Sequence, residues 1–101
     1  MGFDYHGRRW EQKRKRILRM DGYLDRVAIR YGRTLPGEIV HHIYPVRDYP
    51  QYAYEDWNLI SVSRSTHHRL HRSEDDSLTD EGIALMRRTI PGKDWRKRNN
   101  D

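Results

Sequence analysis

The chain has 101 residues, of which 20 are Lys or Arg and 15 are Asp or Glu, giving a formal net charge of +5, and it has no cysteine. That length holds one domain, expected to fill residues 1–101. The missing cysteines exclude disulfides and any thiolate metal site. No apolar run approaches the roughly 20 residues of a membrane span, and Met1 to Tyr5 carry no signal-type apolar stretch. A soluble intracellular protein without a membrane partner is therefore expected.

Residues 1–7 read as a flexible tail. Arg8 to Met20 contains good helix formers and neither Gly nor Pro, with Trp10, Ile17 and Leu18 at helical spacing. Asp21-Gly22 breaks that helix, and Asp21 stands where it can cap the next one. Leu24, Val27, Ala28 and Tyr31 form a second helical stripe, ended by Gly32. After a turn at Leu35-Pro36-Gly37, the β-branched run Glu38 to Tyr44 predicts a strand that Pro45 ends.

Residues 46–56, rich in tyrosine, predict a long irregular loop. Leu59 to Val62 predicts a second strand, antiparallel to the first. Ser63 or Ser65 can cap a helix over Thr66 to Arg72. A polar break at Glu74-Asp75-Asp76-Ser77 precedes a last helix capped by Thr79, with Ile83, Leu85, Met86 and Ile90 on its apolar side. Pro91-Gly92 stops it, and residues 93–101 read as a second flexible tail.

Basic residues crowd both ends, from Arg8 to Arg19 and from Arg87 to Arg98. This pattern suggests a polyanion partner, most simply DNA. The acidic stretch between Glu74 and Glu81 would repel phosphate and is expected to point away from such a surface.

Five of the six histidines fall in two clusters, His41-His42 and His67-His68-Arg69-Leu70-His71. Imidazole is the commonest protein metal ligand and the side chain best suited to moving protons near neutral pH. His67 and His71, four apart on a predicted helix, can share a face and grip one ion. A solvated helix face explains the same pair as simply. On a regular strand His41 and His42 point to opposite faces, and ordinary strand filling accounts for them equally well. Asn58 lies where a loop enters a strand, and is either a turn residue or a brace for that loop.

Taken together, these pieces resemble the HNH endonuclease family as it occurs in small bacteriophage-type members. The resemblance rests on Arg19-Met20-Asp21-Gly22-Tyr23, Val40-His41-His42-Ile43-Tyr44-Pro45, Asp56-Trp57-Asn58-Leu59-Ile60 and His67-His68-Arg69-Leu70-His71. It implies an α+β fold, a ββα-metal (His-Me finger) core with flanking N- and C-terminal helices. It implies His41, His67 and His71 as ligands of one divalent metal ion, His42 as general base and Asn58 as the residue that places the base. His68 would point elsewhere. Arg69 and Arg72 would contact the DNA backbone.

Many members also carry two Cys-x-x-Cys pairs around a structural zinc. Those positions fall near Asp25 and Ala28, and at Ser63 and Thr66. Apolar packing of the Leu24, Val27, Ala28 and Tyr31 stripe is expected to hold the scaffold instead. A histidine in place of a carboxylate as first ligand shifts expectation from magnesium alone toward zinc, nickel or manganese.

The activity implied is metal-dependent hydrolysis of a DNA phosphodiester bond. Two other readings stand beside it. One is a metal-stabilised module that binds DNA without cutting it. The other is a metal-free interaction protein that uses the tyrosine-rich loop. The phage-type resemblance also suggests a terminase partner in genome packaging, or a mobile element, and cutting both strands with one active site per chain would call for a homodimer or a partner.

Overall fold

Helix α1 (Arg8–Met20) turns Trp10, Ile17 and Leu18 inward and its basic residues outward, as the sequence spacing predicts. A computed structural model describes residues 3–97; Met1, Gly2 and residues 98–101, the outer parts of both expected tails, lie outside the described residues. The other elements are α2 (Arg26–Ile29), β1 (Ile39–His42), β2 (Leu59–Val62), α3 (Arg64–Leu70) and α4 (Asp80–Arg88). This is the expected α+β architecture. Among the described residues no helix is long and apolar enough to cross a membrane.

β1 and β2 form a two-stranded antiparallel sheet in which His41 faces Ile60 and His42 faces Leu59. Alternation along the strands divides the core in two. Val40 and Leu59 pack with Trp10, Ile17 and Leu18 of α1. On the other side, Ile43, Ile60 and Val62 pack with Val27, Leu70 and Leu85 from the three remaining helices. Gly82 allows the first turn of α4 to approach the Leu70 carbonyl at the end of α3, where a Cβ would collide.

Two buried carboxylates finish the sheet. Ser61 and Ser63 of the β2 segment direct their amides away from β1. The Ser61 amide donates to Asp21 Oδ2 at 3.0 Å and the Ser63 amide to Asp25 Oδ2 at 2.8 Å. Asp25 Oδ1 also caps α2 by accepting from the amides of Val27 and Ala28. Burial pushes the Asp25 carboxyl up, but hydrogen bonds from Thr66, Ala28 and Ser63 outweigh it and hold it below the ordinary carboxylate range. Ser63 in turn caps α3 and bonds to Thr66 Oγ1 at 3.1 Å.

Several expectations are corrected here. Asp25, not Asp21, caps the second helix, which has only one turn. Asp21 is instead a fully buried anion at the end of α1. The scaffold does not rest on the apolar stripe alone, since Tyr31 is exposed. The positions of the absent Cys-x-x-Cys pairs, Asp25, Ala28, Ser63 and Thr66, form a connected hydrogen-bond network. The first strand is shorter than Glu38 to Tyr44, and the last helix ends before Ile90, which is exposed.

The described parts of both tails are packed rather than loose. Phe3 packs against the α1 core cluster. Trp95 packs on the other cluster and donates to the Trp57 carbonyl at 3.2 Å. Arg96 grips Asp21 through two nitrogens, at 2.6 and 3.1 Å, and also donates to the carbonyls of Asp56 and Leu59. No helical period announces such a residue, so its docking is invisible in the sequence.

Removing one partner of a buried ion pair strands the other charge, a loss of about 3–5 kcal/mol. Arg96→Ala is therefore expected to lower the thermal midpoint by more than about 10 °C in a domain of this size. Calorimetry in the presence of a chelator measures it; a midpoint equal to the parent's would show that Asp21 does not depend on Arg96.

Candidate active site

The four candidate histidines reach one cavity from two sides of β1. His41 points to the α3 side, where its ring centroid lies 5.6 Å from that of His67 and 5.1 Å from that of His71. The His67 and His71 centroids are 5.1 Å apart. Each of the three offers a ligand nitrogen within 4.8 Å of the others. His42 points to the α1 side. The cavity wraps the end of the strand, and all four rings line it, with Tyr5, Trp10, Arg14, Arg47 and Asp76. The backbone bends at Ile43 and Tyr44, directly after the strand.

His71 is not on the helix where spacing predicts it. α3 ends at Leu70, and His71 is extended at φ −126°, ψ 138°, bridged to Leu78. Its amide still donates to the His67 carbonyl at 3.0 Å, which keeps the two rings adjacent. His68 is exposed, outside the cluster as expected.

His41 is 1% exposed, and neither of its ring nitrogens has a hydrogen-bond partner. Each unmade bond on a buried polar atom costs about 1–3 kcal/mol. Burial pushes the His41 imidazole well below its ordinary value, helped by the neighbouring His71 and His67. Burial also lowers His67, as do His71 and His68. Such rings stay neutral at neutral pH and keep the lone pairs a metal requires. An orphaned buried imidazole beside two more nitrogens fits a divalent cation, and the all-nitrogen set suits zinc, nickel or manganese.

His42 is held differently. Its Nε2 lies 3.0 Å from the Ala53 carbonyl oxygen, so that nitrogen carries the proton and donates. Nδ1 makes no hydrogen bond among the described residues and keeps its lone pair. Trp10 stacks on the ring at 4.9 Å with planes 22° apart, and Phe3 meets it edge-on at 5.3 Å. Burial brings His42 down to about 4, partly opposed by the bond to Ala53.

Asn58, at the end of a 3-10 turn (Asp56–Asn58), is fully buried and staples the long loop. Its Oδ1 accepts from the Tyr44 amide at 2.7 Å, and its Nδ2 donates to the carbonyls of Tyr44 and Tyr52, both at 3.1 Å. The Tyr52 carbonyl adjoins the Ala53 carbonyl that holds His42, so one side chain fixes the loop on which the ring depends. The tyrosines of this loop pack on one another and on Trp57.

Arg69 and Arg72 do not line the cavity. Arg69 pairs with Glu81 at 3.2 Å. The arginines at the cavity are Arg14 and Arg47, which the sequence did not single out among so many basic residues. Nor does it reveal Trp10 as the partner of His42. The acidic stretch is not wholly turned away: Asp76 lines the cavity, its Oδ1 3.0 Å from His71 Nδ1.

No family model matches the chain, and no curated protein does. Among solved structures, the fold is similar to the HNH endonuclease of the deep-sea thermophilic bacteriophage GVE2, crystallised with a manganese ion. Identity is 31% and the TM-score 0.63, over 64% of this chain and 71% of that one. This chain belongs to the HNH endonuclease family. The HNH core here is the β1–β2 pair and α3, enclosed by α1 and α4, and it lacks cysteine altogether. In this HNH protein the histidine cluster gives a metal its candidate place, and the manganese is a property of the similar structure.

Asn58→Ala would leave the Tyr44 amide without its partner and release the loop from Tyr52. The Tyr44 amide is expected to exchange its hydrogen at least about tenfold faster, the equivalent of 1.4 kcal/mol and within the cost of one unmade buried bond. Amide exchange followed by NMR checks it; an unchanged rate would mean that other contacts hold the loop.

Proposed function

We propose that this HNH protein is a divalent-metal-dependent DNA endonuclease that hydrolyses phosphodiester bonds, with His42 as general base. The observation that carries the reading is the cluster of His41, His67 and His71, nitrogens converging and His41 unsatisfied, beside a separately held imidazole in the same cavity. A structural ion site alone has no use for that fourth ring.

His41, His67 and His71 are the residues that would hold the ion. When bound, a divalent cation stabilises the negative charge that develops on the phosphate and its leaving oxygen. His42 takes a proton from the attacking water at Nδ1, because Nε2 is committed to Ala53. Asn58 keeps that arrangement in place through the loop it staples. Trp10 shields one face of the base from water. Arg14 and Arg47, at the cavity, bind phosphate oxygens near the reaction; Arg69 and Arg72 serve the backbone farther out. Such contacts position DNA and carry little sequence information.

Supercoiled plasmid incubated with Mn²⁺, Mg²⁺, Ni²⁺ or Zn²⁺ is expected to become nicked or linear. In His42→Ala the cleavage rate falls by about 10²–10⁴, while metal affinity by calorimetry stays that of the parent. His67→Ala loses metal affinity and the stabilisation that metal confers. Full cleavage by His42→Ala would remove the assigned base. DNA binding without any cleavage by the parent would favour the non-catalytic module.

A further inference from the structure

The cavity holds a carboxylate as well as imidazoles. Asp76 Oδ1 lies 3.0 Å from His71 Nδ1, the distance of a charge-assisted hydrogen bond. Yet His71 Nδ1 is buried and makes no hydrogen bond, because the oxygen lies off the direction in which a ring N–H would point. The Asp76 carboxylate stands outside the set of mutually close ligand atoms formed by His41, His67 and His71, so it can join them only by a turn of its exposed side chain. Both nitrogens of His41 in the same cavity are also without partners.

The backbone holds Asp76 at this spot. Its φ is +63°, the left-handed region that Asp tolerates better than most residues. Its amide donates to the Arg72 carbonyl at 3.0 Å, and the Arg72 amide donates to the Ser77 carbonyl at 2.8 Å. The His71–Leu78 bridge closes the base of the loop. The side chain is 84% exposed and free to turn about χ1.

Resting on the reading of this cavity as a metal centre, we propose that Asp76 is a fourth ligand, its carboxylate oxygen joining the nitrogens of His41, His67 and His71. A three-nitrogen, one-oxygen set is harder than three imidazoles alone and suits manganese better. It also places a negative charge beside the ion, and that charge raises affinity for a divalent cation.

Calorimetry of Mn²⁺ binding to the full chain tests this with the parent, Asp76→Ala, Asp76→Asn and His67→Ala. Circular dichroism first confirms that each variant keeps the parent fold; Asn tolerates the left-handed backbone at this position as Asp does, so Asp76→Asn removes the charge without adding strain. Both Asp76 variants are expected to lose more than about 100-fold in Mn²⁺ affinity, beyond the roughly 10–100-fold that loss of a residue merely supporting a ligand costs. Parent-like binding by Asp76→Ala, with His67→Ala impaired, overturns the fourth ligand and leaves the imidazole centre standing. Parent-like binding by Asp76→Asn with loss in Asp76→Ala also overturns it, since a neutral acceptor would then suffice to orient His71. Unchanged binding in His67→Ala overturns the centre itself, and Asp76 with it.

Discussion

A two-stranded sheet does not stand alone in water, and this protein builds its site on one. The burden falls on the outer edge of β2, where the amides of Ser61 and Ser63 need acceptors. Asp21 and Asp25 supply them from the segment between α1 and α2. Each carboxylate is then satisfied a second time, Asp21 by Arg96 and Asp25 by the first turn of α2. Buried charge is tolerated only when paired and hydrogen-bonded, and here the pairing also ties α1, α2, β2 and the segment after α4 together. With that edge sealed, β1 is left to carry His41 and His42.

The site works against this stability. Buried imidazole nitrogens without partners subtract about 1–3 kcal/mol apiece, from a total that for a domain is about 5–15 kcal/mol. Three such atoms, two on His41 and one on His71, are thus a sizeable fraction of what the fold can spare. A ligand present at a hundred times its Kd returns about 2.7 kcal/mol, enough to offset much of that deficit. The same unmade bonds that weaken the fold leave the cluster able to hold a cation.

Much of this was legible in the sequence. Helix α1 and strand β2 follow their apolar spacing, the order of His41-His42, Asn58 and His67 to His71 points to the family, and four of those histidines line one cavity. What escaped was long-range polar pairing. Nothing local distinguishes Asp25 from Asp21 as a cap; the choice depends on where Ser63 lies after folding. Arg96 is one basic residue among many until Asp21 is buried beneath it. His71 was placed on a helix by its spacing, but α3 stops one residue short and the ring reaches the cluster from an extended segment. Asp76 was grouped with its acidic neighbours, although a single left-handed residue turns it into the cavity.

The least legible contact bears most directly on chemistry. His42 is fixed by two elements distant in sequence: the loop carbonyl of Ala53 in the plane of the ring, and the Trp10 indole on its face. A single hydrogen bond leaves a ring free to rock about that bond, and a stacked partner removes this freedom. Trp10 can serve only because Ile17 and Leu18, two turns further along the same helix, anchor α1 to the sheet beside Val40 and Leu59. The helix that precedes the ββα core is therefore part of the cavity wall. Its apolar stripe, which by spacing alone reads as ordinary core, sets the angle of the His42 ring.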